Sequence, residues 1–174
     1  VIPIYRGFRI KGEIGKAYTL EVRVGDHFFT STDTMRSPVS PDSLWFIAEP
    51  GKEGGGVIHL SLTDPEEKGN YYRFVAKRLN KDDDYLNLSG NILDDHLFNG
   101  KTIHFPLIRS GSNIQDLEGG FFYPGQIVVV KTCMINADRF LYLSSVSNQV
   151  GSTLSPLSIQ TRTSSLFEGG ALGS

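Results

Sequence analysis

Residues 72–89 have the sequence YRFVAKRLNKDDDYLNLS, and their pattern is the clearest indication of the fold. A β-prone segment at 72–76 is followed by a polar turn at 80–84, and a second β-prone segment at 86–89 ends in serine. Asn and Asp tolerate the left-handed backbone conformations that close a hairpin. The stretch therefore predicts a β-hairpin with an acidic turn.

The same pattern occurs twice more in the chain. Its first segment recurs at 18–22 and 127–131, and its second segment recurs, again ending in serine, at 28–31 and 141–144. The polar turns between them are Gly25-Asp26 and 136–138. A third β-prone segment then follows in each unit, at 44–47, 102–105 and 156–159. Internal repetition at a fixed period indicates a repeated structural unit, so the sequence predicts three equivalent units.

Further β-prone segments lie between the units, at 57–62 and 113–117. The last strand of the third unit is expected from residues 160–167 or, instead, from the segment at 4–10. About twelve strands in threefold arrangement can form a six-stranded barrel capped by three hairpins, which leaves no free sheet edge. In that arrangement Phe29, Leu88 and Leu143 are expected to be buried around one axis. We expect one domain over residues 1–167 and a flexible tail over 168–174.

This pattern resembles the β-trefoil, the fold of ricin-type lectins, interleukin-1-like cytokines, fibroblast growth factors and Kunitz soybean-type inhibitors. Residues 139–144 with 156–159 are similar to the closing strands of cytokine and inhibitor trefoils. The resemblance implies an all-β fold with function in the loops. No member family is matched: the repeated Gln-x-Trp of the ricin-type lectins is absent, and Trp45 is the only Trp. The basic growth-factor surface and the inhibitors' disulfides are missing as well.

Composition and charge restrict the partners. The 19 Gly and 8 Pro, with many β-branched and aromatic residues, favour short strands and turns. The formal net charge is −2, and no basic run is longer than Lys77-Arg78, which disfavours nucleic acid and anionic membranes. No apolar stretch approaches the ~20 residues of a membrane helix. Cys133 is the only cysteine, which favours a reducing cytoplasmic location, or export without disulfides.

We find no catalytic pattern. The four histidines (His27, His59, His96 and His104) lack metal-ligand spacing, and His59 and His104 fall in predicted strands. Cys133 lies in a predicted strand and is expected to be a small buried side chain. The acidic runs 82–84 and 94–95 lack the spacing of an EF-hand and are expected to be solvated. The sequence predicts no enzyme activity, no cofactor and no metal site.

The favoured function is carbohydrate binding in a lectin-like manner. Sugars are held by stacking on an aromatic ring and by hydrogen bonds from nearby polar groups. In the glycine-flanked segment 119–125, three consecutive rings cannot all point inward, so at least one is expected to be exposed. The predicted ligand-binding residues are Phe121, Phe122 and Tyr123, with Asp116 and Gln115 as polar partners. Replacing Phe122 and Tyr123 by Ala is expected to weaken binding and leave the melting temperature nearly unchanged.

Two alternatives remain from the residues. The chain can be a protein ligand, cytokine-like or inhibitor-like, that docks through loops at 32–43 and 110–123. It can also be an interaction or shell domain of a larger assembly. The partner is therefore expected to be a carbohydrate or a protein.

Overall fold

A computed structural model describes residues 10–109, 120–152 and 168, with side chains described as far as Ser147. Eight strands and one helix are present in these ranges. In chain order they are β1 (Ala17–Val24), β2 (His27–Thr34), β3 (Ser43–Ala48), β4 (Gly56–Thr63), β5 (Tyr71–Arg78), β6 (Leu86–Asp94), β7 (Thr102–Arg109), β8 (Val128–Ile135) and α1 (Ala137–Ser152). The chain is thus mostly β, as the composition predicted.

Six of the strands form one antiparallel sheet in the order β3-β4-β7-β6-β5-β8, which is curled into a half-barrel. Strands β5 and β6 are the hairpin predicted from residues 72–89, and its turn contains Asn80 with a φ of 63°. The segments predicted at 44–47, 57–62 and 102–105 also lie in strands, as does 127–131 from its second residue onward. Strands β3 and β8 stand at the two ends of the order.

The hydrophobic core lies on the inner face of the half-barrel. Alternate residues of the central strands are buried there, because successive side chains of a strand point to opposite faces. The buried cluster comprises Leu60, Leu62, Tyr72, Phe74, Ala76, Leu88, Leu107 and Phe122. Tyr72 and Phe74 of β5 are fully buried, and the Phe74 ring meets the Phe105 ring edge-on at 4.8 Å between centroids.

The remaining two strands, β1 and β2, form a separate antiparallel ribbon. They pair over all eight residues, from Ala17 opposite Thr34 to Val24 opposite His27, around the predicted turn at Gly25-Asp26. The main chain of Thr30 in β2 also pairs with that of Glu168. No residue of either ribbon strand is buried.

The prediction of a strand at 141–144 is wrong, because these residues belong to helix α1. The predicted turn at 136–138 is instead the start of that helix. Asn136 Oδ1 accepts a hydrogen bond from the main-chain N–H of Arg139 at 2.7 Å, and the Asn136 carbonyl oxygen accepts one from the N–H of Phe140. An Asn side chain that accepts from an N–H three residues later is a helix N-cap.

The expected equivalence of Phe29, Leu88 and Leu143 is therefore wrong as well. Phe29 is half-buried on the ribbon, Leu88 is buried in the sheet, and Leu143 is half-buried on the helix. The two predicted hairpins that are observed belong to different sheets, and the threefold repetition of a β-trefoil is not confirmed. The segments predicted at 4–9, 113–117, 156–159 and 169–174 lie outside the described residues.

Within the described ranges, no helix is long and apolar enough to cross a membrane.

Candidate binding groove

The two end strands of the sheet lie on either side of an open groove of about 430 Å³. Leu44 and Phe46 of β3 line one side, and Val128 and Val130 of β8 line the other. In the described part of the chain, β3 is hydrogen-bonded only to β4, and β8 only to β5. Among the described residues, each of these two strands therefore has one edge without a neighbouring strand.

Register shows that these four side chains belong to the inner face of the half-barrel. Leu44 lies opposite the fully buried Leu60, and Val130 lies opposite the buried Ala76. The inner face is covered at its centre but open where the two ends of the sheet approach each other. Leu44 and Phe46 consequently remain 48% and 42% exposed.

Strand β3 is apolar on both faces. Trp45 and Ile47 point to the outer face and are 37% and 45% exposed, so all four large apolar residues of this strand meet solvent. Natural edge strands are usually protected by charged residues or proline, and β3 contains neither. Clustered exposure of this kind marks a surface that contacts something else.

The segment after Gly120 forms one end of the groove. Phe122 pairs with Gly56 through two main-chain hydrogen bonds of 2.8 and 2.9 Å, and its ring is only 2% exposed. Gly56 is required there, because a Cβ would collide with the carbonyl oxygen of Ile47. Gln126 Oε1 accepts a hydrogen bond from the N–H of Tyr123 at 3.1 Å. Hydrogen bonds therefore hold this end of the groove to β4 and stabilise the turn that follows Tyr123.

The three predicted aromatic residues alternate in direction but are not equally accessible. Phe122 is in the core, and Phe121 and Tyr123 are half-buried. The Lys52 ammonium lies 5.5 Å from the centroid of the Phe121 ring. Tyr123 lies against Gly55, where an added Cβ would come within 3.1 Å of its Cζ atom.

Two consequences follow for the predicted site. Phe122 cannot offer a ring face to a ligand, and its burial contradicts the expectation that its removal leaves stability unchanged. Tyr123 remains at the groove, where it and Phe122 are among the lining residues. The proposed polar partners Asp116 and Gln115 lie outside the described residues.

Sequence reasoning missed the groove itself. Its walls are β3 and β8, at opposite ends of the sheet order and far apart in the chain. The one available signal was β3, whose continuous run Leu44-Trp45-Phe46-Ile47 is typical of a strand buried on both faces. An apolar run of this kind is exposed when its strand lies at a sheet edge. The sequence of the strand does not show whether it lies at an edge, because the strand order determines that.

The sequence predicts that the acidic run 82–84 is solvated, but the Asp82 side chain is buried. The side chains of Asp82 and Arg78 form an ion pair in which each is only 6% exposed, and Asp82 also accepts a hydrogen bond from the main-chain N–H of Arg78 at 2.8 Å. Hydrogen bonds from the Arg78 side chain hold the pKa of the Asp82 carboxyl below its usual value, although burial opposes this. This pair fixes the β5–β6 turn.

A second polar group lies at the other end of β5. The Tyr72 hydroxyl donates a hydrogen bond to Asp64, which also accepts one from the N–H of Gly100 at 3.0 Å. Burial, and then the hydrogen bond to Asp64, raise the pKa of the Tyr72 phenol well above its usual value. Asp95 accepts hydrogen bonds from the N–H groups of Gly69 and Asn70. These carboxylates therefore hold main-chain loops in place.

The part of the chain that the structure describes contains no group of three or more His, Cys, Asp or Glu residues placed to hold a metal ion. Cys133 is half-buried in β8. No protein-family model matches the chain, and neither curated proteins nor solved structures give a match. The function is therefore argued from the groove and its surroundings.

Proposed function

We propose that this chain is a non-catalytic binding domain that accepts an extended, apolar segment of a partner protein between β3 and β8. The observation that supports this is the groove, on each side of which one strand edge has no partner among the residues that the structure describes. A free edge offers main-chain N–H and C=O groups that an extended peptide can pair with, as in β-strand addition. This develops the protein-partner alternative indicated by the sequence.

The chemistry of the groove defines the partner segment. None of the described residues that line the groove is charged. Burying an unpaired charge of the partner there is costly, so the segment that fits is uncharged. Side chains alternate along a strand, so every second residue of the bound segment faces Leu44, Phe46, Val128 and Val130 and is apolar.

The carbohydrate function predicted at 121–123 receives less support from the same groove. Stacking of a sugar needs an open ring face, and Phe122 has none. The groove walls are aliphatic on the β8 side and offer a sugar few hydrogen-bonding side chains. A strand, by contrast, satisfies its own polar groups through the main chain of β3 or β8.

A peptide-binding measurement tests the proposal. The probe is a short fluorescein-labelled peptide of alternating valine and threonine, and binding is followed by fluorescence anisotropy. We expect saturable binding that weakens by about tenfold or more when Phe46 is replaced by Asp, since this removes an apolar contact and places a charge in the groove. A peptide with proline in place of every threonine is expected not to bind, because proline lacks the main-chain N–H.

The matched control is Leu20→Asp, which introduces the same charge at another exposed apolar residue, on the ribbon. We expect this variant to bind the peptide as the unmodified chain does. Equal loss in both variants, or equal binding of the proline-containing peptide, contradicts strand addition in the groove. Absence of binding by the unmodified chain contradicts it as well.

A further inference from the structure

The outer face of the sheet carries a cluster of rings, of which only Trp45 also borders the groove. Trp45 of β3 lies opposite His59 of β4, and their rings stack at 5.6 Å between centroids with an interplanar angle of 25°. The ring of His104, on β7, meets the Trp45 ring at 5.8 Å and 71°. Three adjacent strands therefore contribute one ring each.

The positions of Trp45 and His104 show where their rings meet on the sheet. His104 is two strands away from Trp45 and opposite Ser61, yet the two rings are in contact. The side chains of Trp45 and His104 therefore meet over β4, on the outer face of the sheet. Ser61, the β4 residue between them on the outer face, is only 5% exposed. Trp45 itself remains 37% exposed, so part of its ring meets solvent.

Exposed polar side chains lie beside the rings on the outer face of the sheet. Asp42 Oδ2 accepts a hydrogen bond from the Thr63 hydroxyl at 2.8 Å, and the hydroxyl oxygens of Thr63 and Thr102 are 2.8 Å apart. Thr63 lies opposite Thr102, two residues along from the pair Ser61–His104. A carboxylate and two hydroxyls thus stand next to the rings on the same face of the sheet.

We propose that this face is a binding site for a neutral saccharide, with the Trp45 indole as the stacking platform. The C–H groups on one side of a pyranose ring form an apolar face that packs on indole, and its hydroxyls need donors and acceptors at the rim. Asp42 supplies acceptors, and the imidazoles and the Thr hydroxyls supply both donors and acceptors. The cluster contains no Lys or Arg, which favours a neutral sugar over a phosphorylated or sulfated one.

This site is distinct from the groove, although Trp45 also borders the groove. Leu44 and Phe46 point to the inner face, whereas His59, His104 and Thr63 point to the outer face. A saccharide on the outer face and a strand in the groove can therefore be tested separately.

Trp45 is the only Trp in the chain, so fluorescence excited outside the tyrosine band reports on this residue, which belongs to the platform and also borders the groove. The probes are four neutral tetrasaccharides (maltotetraose, cellotetraose, xylotetraose and mannotetraose), each titrated to millimolar concentration. We expect a saturable change in Trp45 emission with at least one of them. Titration calorimetry with that saccharide is expected to show at least a tenfold loss of affinity for Trp45→Ala and a smaller loss for Asp42→Asn.

Two controls separate this site from the groove. Phe46→Asp, which blocks the groove, is expected to keep the saccharide affinity unchanged, and Trp45→Phe is expected to retain part of it because a smaller ring still stacks. If none of the four saccharides produces a saturable response, the proposal is overturned. It is also overturned if Trp45→Ala, shown to be folded by circular dichroism, binds the saccharide as tightly as the unmodified chain.

Discussion

The six-stranded sheet and the β1–β2 ribbon use the same kind of pairing but bury very different amounts of side chain. Ribbon strands pair without interruption over eight residues, whereas β5 and β6 shift register between Arg73 and Val75. Every residue of the described hydrophobic cluster nevertheless lies in the sheet or in the segment after Gly120, and none lies in the ribbon. Regular hydrogen bonding is thus not what creates the core.

Sequence pattern alone does not explain this difference. One face of the ribbon is also apolar, with Leu20, Val22 and Val24 on β1 and Phe29 opposite Val22. Leu20 and Val24 nevertheless remain 54% and 61% exposed. A two-stranded hairpin is marginally stable in water unless its apolar face is covered. In the sheet, the curl of six strands covers that face, and the comparison indicates that curvature provides the core.

The largest expected effect comes from removing the same ring in each region. Phe74→Ala removes a fully buried ring of β5 and leaves a cavity, so we expect the free energy of unfolding to fall by about 4 kcal/mol. Phe28→Ala removes a 55% exposed ring of β2 and is expected to cost less than about 0.5 kcal/mol. Urea unfolding followed by circular dichroism measures both. Similar losses would show that the ribbon is packed as tightly as the sheet.

The two hairpin turns provide the next comparison. The β5–β6 turn contains the buried Arg78–Asp82 pair, whereas Asp26 in the ribbon turn is exposed. Asp82→Asn leaves the Arg78 charge without its carboxylate partner, so we expect a loss of about 3 kcal/mol at neutral pH. Asp26→Asn is the matched control and is expected to be nearly neutral. Equal effects of the two substitutions would contradict a structural role for the pair.

The same pair predicts a dependence of stability on pH. The folded chain lowers the pKa of Asp82, so the unfolded chain binds the proton more tightly. The stabilisation by Asp82 is therefore complete above the ordinary carboxyl pKa of about 4 and decreases as the pH falls below it. The difference in unfolding free energy between the unmodified chain and Asp82→Asn should shrink over that range in urea titrations. A difference that stays constant to low pH would mean that folding does not lower the pKa of Asp82.

The sequence predicted both hairpins because their turns are local signals: Gly25-Asp26 in one, and Asn80 with the acidic run in the other. The prediction of a third hairpin was wrong at Asn136, which precedes a helix instead of forming a turn. Asn is favoured both in turns and at helix N-caps, and a short apolar run such as Phe140–Leu143 fits a strand or a helix. In the structure, Asn136 Oδ1 accepts a hydrogen bond from the N–H of Arg139 and so caps a helix. Local residue type alone does not distinguish these outcomes.

The candidate site was harder to predict than the strands that form it. The rings 121–123 were predicted in a loop because glycines flank them, but Phe122 is buried and Phe121 and Tyr123 are half-buried, so none is as exposed as expected. Leu44, Val130 and the ring cluster around Trp45 were not predicted, because they come together as candidate sites only when the strand order places β3 and β8 at the ends of a curled sheet. Strand order depends on contacts between residues distant in sequence, which short-range periodicity does not encode.

The smallest expected effect on stability comes from Val→Thr, a substitution that keeps the shape of the side chain. Val→Thr replaces a methyl group by a hydroxyl, keeps the β-branched side chain and therefore changes mainly the cost of burial. Val75 in β5 is 7% exposed, and a buried hydroxyl without a partner should cost about 1–3 kcal/mol there. Val24, next to the ribbon turn and 61% exposed, should tolerate Thr with a change below about 0.5 kcal/mol, since the hydroxyl stays hydrated. Urea midpoints measured side by side give the two differences. If Val24→Thr cost as much as Val75→Thr, the apolar face of the ribbon would have to be covered in solution, and the contrast between a core-forming sheet and an exposed ribbon would not hold.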